Sequence, residues 1–134
     1  MPPPEPKGRL SLAVFSGDFA RVHYALAMAA GALSVGRPAT LFFTMQALRA
    51  LTPEWRQMPG AAELDALHAA RGIGRFEELL EAVVTLGGRV MVCEMGLRAI
   101  GLERSALRPD VPVEEGGIVT FLEQFDPAGA TMFV

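Results

Sequence analysis

Two rhythms of apolar residues alternate along this chain. The first is a short continuous run, seen at Leu10 to Phe15, Ala39 to Thr44, Val90 to Val92 and Ala130 to Val134. Runs of this kind, bounded by turn residues, predict strands buried on both faces, as in a parallel sheet. The second rhythm has helical spacing. Val22, Leu26, Ala29, Ala30 and Leu33 predict a helix from Phe19 to Val35, with Asp18 as its N-cap and Gly36 as its stop. Its other side (Ala25, Ala27, Met28, Ala32) is apolar too, so this helix is expected to face both the sheet and a second subunit. Phe76, Leu79, Leu80, Val83 and Val84 mark an amphipathic helix closed by Gly87-Gly88. Shorter helices are expected at Gln46 to Leu51, at Met95 to Ile100 before Gly101, and after Gly116-Gly117 with Ile118, Phe121, Leu122 and Phe125 on one face.

Between these elements lie the less regular parts. Residues 52–74 carry Pro53, Pro59, Gly60, Gly72 and Gly74 around one helical piece, Ala61 to Ala70. A stretch this long in a small domain is usually functional or mobile, so it is expected to act as a lid or an interface, with Trp55 as its contact residue. Leu102 to Asp110 is a linker. Val111 to Val113 reads as a short edge strand, since Pro112 cannot donate to a ladder. Residues 1–9, rich in proline, read as a flexible tail. The resulting order is β-α-β-α-(α)-α-β-α-β-α-β. It predicts one α/β domain over residues 10–134, with a mostly parallel five-stranded sheet and helices on both faces.

Composition narrows the partners. Of the 134 residues 51% are hydrophobic and 20% charged, an excess of apolar surface that a homo-oligomer would bury. The net charge of −3 comes without a basic block, which argues against nucleic acid. No uncharged run is long enough to span a membrane, and the first residues lack the apolar core of a signal peptide. The single cysteine cannot form an internal disulfide, which suits a reducing compartment; a cytoplasmic location is expected.

That cysteine, Cys93, is the first candidate for chemistry. It falls where a strand ends and a helix begins, the place where open α/β sheets gather ligands and reactive groups. A helix N-terminus favours an anion, which lowers a thiol's pKa. Against this stands the habit of lone cysteines to be small core residues, so placement alone leaves the two readings balanced. No CxxC motif is present, and a dithiol cycle within one chain is excluded. A single thiol can still carry a sulfane sulfur as a persulfide. His23, in the first turn of the long helix, would reach the carboxyl end of the sheet and could serve Cys93 as a base; it reads equally as structural. A zinc site from Cys93, His23 and His68 would need closer spacing. The N–H groups of Ser16, Gly17 and Asp18 could form part of an anion pocket, or simply a turn with an N-cap. No GxGxxG and no P-loop occurs, so no nucleotide cofactor is expected.

Several stretches taken together resemble one family. Leu41-Phe-Phe-Thr-Met-Gln-Ala-Leu48 is similar to the FFTFxGL signature of the DsrE/DsrF/DsrH-like sulfur-relay proteins, in their peroxiredoxin-like DsrE subgroup. The alanine-rich Ala25 to Gly36 resembles that subgroup's first helix. Met58-Pro-Gly60, Gly72-Ile-Gly74, Glu78-Leu79, Val92-Cys93-Glu-Met95, Ile100-Gly101 and Gly116-Gly117 follow in the same order. The subgroup's Cys-Gln-Met-Ser-Met becomes Cys93-Glu-Met-Gly-Leu97, which keeps the thiol and puts a carboxylate beside it. A carboxylate in contact with the thiol would raise its pKa. The resemblance spans Leu10 to Val134. It implies a flavodoxin-like three-layer sandwich, often oligomeric, in which Cys93 accepts and passes on sulfur as a persulfide. Partners would be other sulfur-relay proteins or a low-molecular-weight thiol or sulfur donor. The candidate site is then Cys93 as the reactive residue, with Ser16, Gly17, Asp18, His23, Thr44 and Glu94 as binding positions and no metal. The competing reading is a non-enzymatic oligomeric binding or assembly subunit in which Cys93 is packing.

Overall fold

A computed structural model describes residues 7–134. Five parallel strands form one sheet: β1 (Leu10–Val14), β2 (Ala39–Phe43), β3 (Arg89–Cys93), β4 (Glu114–Gly116) and β5 (Ala130–Phe133), in the order β4-β3-β2-β1-β5. The helices are α1 (Phe19–Ser34), α2 (Ala61–Ala70), α3 (Phe76–Thr85), α4 (Glu94–Ala99) and α5 (Ile118–Glu123). Three 3₁₀ segments, Met45–Leu51, Trp55–Gln57 and Arg104–Ala106, fill the connections. This is the three-layer α/β architecture expected from the apolar runs. Among the described residues no helix is long and apolar enough to cross a membrane.

The strand order decides which face each helix covers. Steps β1 to β2, β2 to β3 and β3 to β4 all run the same way, and right-handed crossovers then put α1 to α4 on one face. The last step returns across the whole sheet to the far side of β1, so α5 lands on the opposite face. The two cores reflect this. Leu10, Leu12, Val14, Leu41, Phe43, Val90 and Val92 point into the large core with Phe19, Val22 and Leu26 of α1, Phe76, Leu80 and Val83 of α3, and Leu97 of α4. The alternate residues Phe42, Met91 and Cys93 point the other way, into a small core that α5 closes with Phe121 alone among its side chains.

Several local expectations change in place. Trp55, expected as a contact residue of a lid, is 1% exposed. It stacks on Phe19 at 5.7 Å between ring centroids, packs on Phe76 at 4.3 Å, and donates from Nε1 to Glu77 Oε1 at 2.8 Å. Met58 and Ala61 are also buried, and with Trp55 they join the large core, while Arg56, Gln57, Pro59 and Gly60 between them are exposed. The edge strand expected at Val111 to Val113 forms three residues later, at Glu114–Gly116, because Val111 turns into the large core. Its carboxylates pair instead with Arg89 and Arg104, at 2.6 and 2.8 Å, and charged side chains protect a sheet edge. Of the proline-rich tail, residues 1–6 lie outside the described residues. Arg9 is tied down: its N–H donates to Asp126 Oδ2 at 2.9 Å, its carbonyl accepts from Ala130 N at 3.0 Å, and Nη1 reaches Thr40 Oγ1 at 2.9 Å.

Candidate functional site

Cys93 ends β3 and is the N-cap residue of α4. Its Sγ accepts the N–H of Gly96 at 3.4 Å, in the place an N-cap oxygen usually takes. The sheet register sets its neighbours. Cys93 pairs with Gly116 of β4, and Thr44 stands level with it beyond the Phe43–Val92 pair of β2 and β3. Phe42 and Met91 lie one step back on the same face, and Phe121 of α5 closes over them, stacked on Phe42 with ring centroids 4.6 Å apart. The thiol is thereby fully buried, at 0% exposure.

The first turn of α4 is held against the end of β2. Gly96 packs so closely there that a Cβ would lie 2.6 Å from Thr44 Oγ1 and 2.7 Å from Met45 N. Met45 itself takes a left-handed conformation, φ 49°, one of the sparsely populated regions for a residue with a side chain. The chain turns sharply at this residue into the 3₁₀ segment packed beside α4.

The other expected site residues separate into those brought near and those not. Thr44 is brought beside Cys93 by the register. Glu94 is adjacent in sequence but swings away: its carboxylate is mostly exposed and pairs with Arg98 at 3.6 Å, one turn along α4. The carboxylate that the sequence sets beside the thiol therefore points into solvent. Ser16, Gly17 and Asp18 follow β1, which β2 separates from β3, so they begin two strand spacings, about 10 Å, from Cys93. Their donors are also largely committed. Ser16 N donates to Val134 O, Asp18 N to Ser16 Oγ, and Asp18 Oδ1 caps α1 by accepting from Ala20 N. The turn-and-cap reading describes them, and the anion pocket beside Cys93 does not form.

His23 corrects a further expectation. It sits on the face of α1 that meets α2 and α3, across the sheet from Cys93. Its Nε2 bonds Gly74 O at 2.8 Å and its ring packs 4.1 Å from that of His68. It cannot act as base for the thiol there. His68 has its pKa lowered, first by desolvation and then by its neighbour His23. Asp65 beside them is buried and accepts from Phe76 N at 2.9 Å and from Arg75 at 3.1 Å, which pins the start of α3. Among the described residues no cluster of histidine, cysteine and carboxylate side chains could hold a metal ion.

Sequence reasoning missed Phe121, Gly96 and Gly116 as neighbours of the thiol. The alternation of β3, which sends Met91 and Cys93 to the same face, was the only local signal available.

Comparison with known proteins places this geometry in a fold. No family model matches the chain, and no curated protein matches it by sequence. Among solved structures it is similar to MTH1491, a protein of unknown function from Methanobacterium thermoautotrophicum, with a TM-score of 0.60 at 15% identity over 96% of this chain and 100% of that one. It is equally similar to the ychN protein from E. coli, with a TM-score of 0.60 at 15% identity over 95% of this chain and 99% of that one. At that identity the likeness is one of fold.

Proposed function

We propose that this protein carries sulfane sulfur on Cys93, as a cytoplasmic member of a sulfur-relay system. The observation that supports it is the placement of Sγ at the carboxyl end of β3 with the Gly96 N–H aimed at it. A donor in that position shares the negative charge of a thiolate or of a terminal persulfide sulfur. In the transfer, the Cys93 sulfur attacks the outer sulfur of a donor persulfide. A new S–S bond forms on Cys93, the donor's S–S bond breaks, and the donor leaves as its thiol; no outside oxidant is needed. Delivery is the same exchange in reverse, toward an acceptor thiol.

The buried state of the thiol demands an opening step, and α5 is the element suited to it. It is six residues long, sits between Gly116-Gly117 and the Asp126–Gly129 turn, and buries only Phe121. An element held by so little is drawn from the low-stability end of a structure and opens locally.

A second reading rests on the same burial. If Cys93 never opens, it is packing, and the protein is an oligomeric binding or assembly subunit. The surface suits contact with a second copy in either case. Ile118, Val119 and Leu122 of α5 are exposed, and Phe133 is 73% exposed beside Phe15 at 5.4 Å between centroids. Contiguous exposed apolar groups, such as the Phe15–Phe133 pair, are what an interaction surface is built from.

Intact-mass measurement after incubation with thiosulfate or a small persulfide separates the readings. Gain of one sulfur atom, absent in Cys93→Ser, supports the carrier. A thiol that alkylates readily in the native protein but never gains sulfur sinks it. A thiol that resists alkylation throughout leaves the assembly subunit.

A further inference from the structure

A cleft of about 590 Å³ opens on the other side of the strand ends, and none of the Cys93 neighbours lines it. It lies where Gly17 follows β1, Gln46 follows β2 and Leu102 follows α4, at the carboxyl ends of the sheet. Open α/β sheets bind their ligands there, and the volume falls within the range of small-molecule sites.

One charge of each sign lines it. Arg49 and Glu54 both line the cleft, yet they form no ion pair with each other and, among the described residues, none with any other group. Six other arginines pair with carboxylates, whereas Arg49 shares its lack of an ion pair among the described residues with Arg9, Arg37, Arg56 and Arg71. Arg49 is oriented all the same. Its Nε donates to Gln46 Oε1 at 2.7 Å, which fixes the guanidinium plane and leaves the terminal N–H groups open. A guanidinium held this way suits a carboxylate. The backbone between the two charges is locked as well. Thr52 Oγ1 donates to Arg49 O at 2.7 Å, and Pro53 follows at the corner before Glu54. Gln57 adds a further polar side chain, and Met58 and Leu102 supply apolar wall. Gly17 admits the approach of Gln46 that shapes one side, since a Cβ would lie 2.7 Å from Gln46 Cβ.

We infer that this cleft binds a small zwitterion of the amino-acid or short-peptide class. Its carboxylate lies on Arg49, its ammonium group on Glu54, and its aliphatic part against Met58 and Leu102. The site stands apart from the sulfur chemistry proposed for Cys93, and involves no bond-making.

Isothermal titration of the full-length protein tests it with three probes: S-methylglutathione, whose blocked sulfur cannot exchange with Cys93, glycylglycine and L-methionine. Saturable binding is expected for at least one of them, unchanged in Cys93→Ser. Arg49→Gln and Glu54→Gln, both at exposed positions, are each expected to weaken it about tenfold, the worth of one charge-assisted contact, while Tm stays at the wild-type value. Absence of saturable binding by all three probes overturns the inference. So does binding that neither variant weakens, or equally tight binding of glutarate or inorganic phosphate, which carry no ammonium group. Because Cys93→Ser keeps the cleft intact, failure here and failure of the sulfur-carrier reading are separate results.

Discussion

Phe121→Ala is the substitution that bears most directly on how Cys93 could react. Phe121 is 5% exposed, is stacked on Phe42 and is the only buried side chain of α5. Removing a buried Phe ring costs about 3–5 kcal/mol. Here the loss falls on the docking of one six-residue helix, so most of it should appear as easier local opening of α5 rather than as lost global stability. Three kcal/mol corresponds to roughly a hundredfold change in an opening equilibrium. The assay is the rate of Cys93 alkylation under native conditions, followed by mass, beside a urea melt of the same protein. In the regime where closing outpaces alkylation, the rate should rise about a hundredfold. The urea midpoint should move by less than the full cost of the ring. An unchanged alkylation rate would refute α5 as the cover. A rate that rises only in step with global unfolding would refute it equally, since the thiol would then be reached through unfolding of the whole domain.

Other consequences follow from the same geometry. Gly96→Ala drives a Cβ against Thr44 Oγ1 and the Met45 backbone, at 2.6 and 2.7 Å; a loss of about 1–3 kcal/mol is expected in a denaturant melt, against a gain of about 0.5–1 kcal/mol for Gly31→Ala, which sits inside α1 where a Cβ meets nothing. Trp55→Phe keeps most of the packing on Phe19 and Phe76 but leaves Glu77 without one donor. Glu77 is still held by Arg108 through two bonds of 2.9 and 2.8 Å, so the cost should stay near 1 kcal/mol, whereas Trp55→Ala should cost about 3–5 kcal/mol. The His68 environment gives a pH dependence. Its folded pKa lies below the ordinary 6.5, so the unfolded chain binds the proton first, and stability is complete above 6.5 and declines as pH falls through it. Urea midpoints at pH 7.5 and 5.5 should differ less in His68→Gln than in wild type. Glu77 has its pKa lowered chiefly by the hydrogen bonds from Arg108, and Asp110 likewise, so a second decline is expected as pH falls below 4.5, weaker in Arg108→Met.

Much of this fold is written locally in the chain. Strands at Leu10, Ala39, Val90 and Ala130 are legible because an apolar run needs only its own neighbours to read as a buried strand. Asp18 as N-cap, and Gly36, Gly87 and Gly101 at helix ends with positive φ, are equally local, because capping and left-handed turns depend on one or two residues. The position of Cys93 at a strand-to-helix junction, and the α/β class itself, belong to the same level. Other features depend on which strands become neighbours and which face each residue takes, and no local pattern carries that. Strand order put β2 between Ser16–Asp18 and Cys93, and sent His23 to the opposite face, where it meets His68. The return of the chain from β4 to β5 brought Phe121 over the thiol from 28 residues away and left the rest of α5 exposed. Tertiary packing also drew Trp55 into the core, moved β4 past Pro112, and set Arg49 and Glu54 in one cleft without pairing them. The sequence by itself determined that there is one thiol and where along the chain it sits. Only the folded sheet, through register and crossover direction, decided that this thiol is covered, by what, and which polar groups stand too far away to serve it.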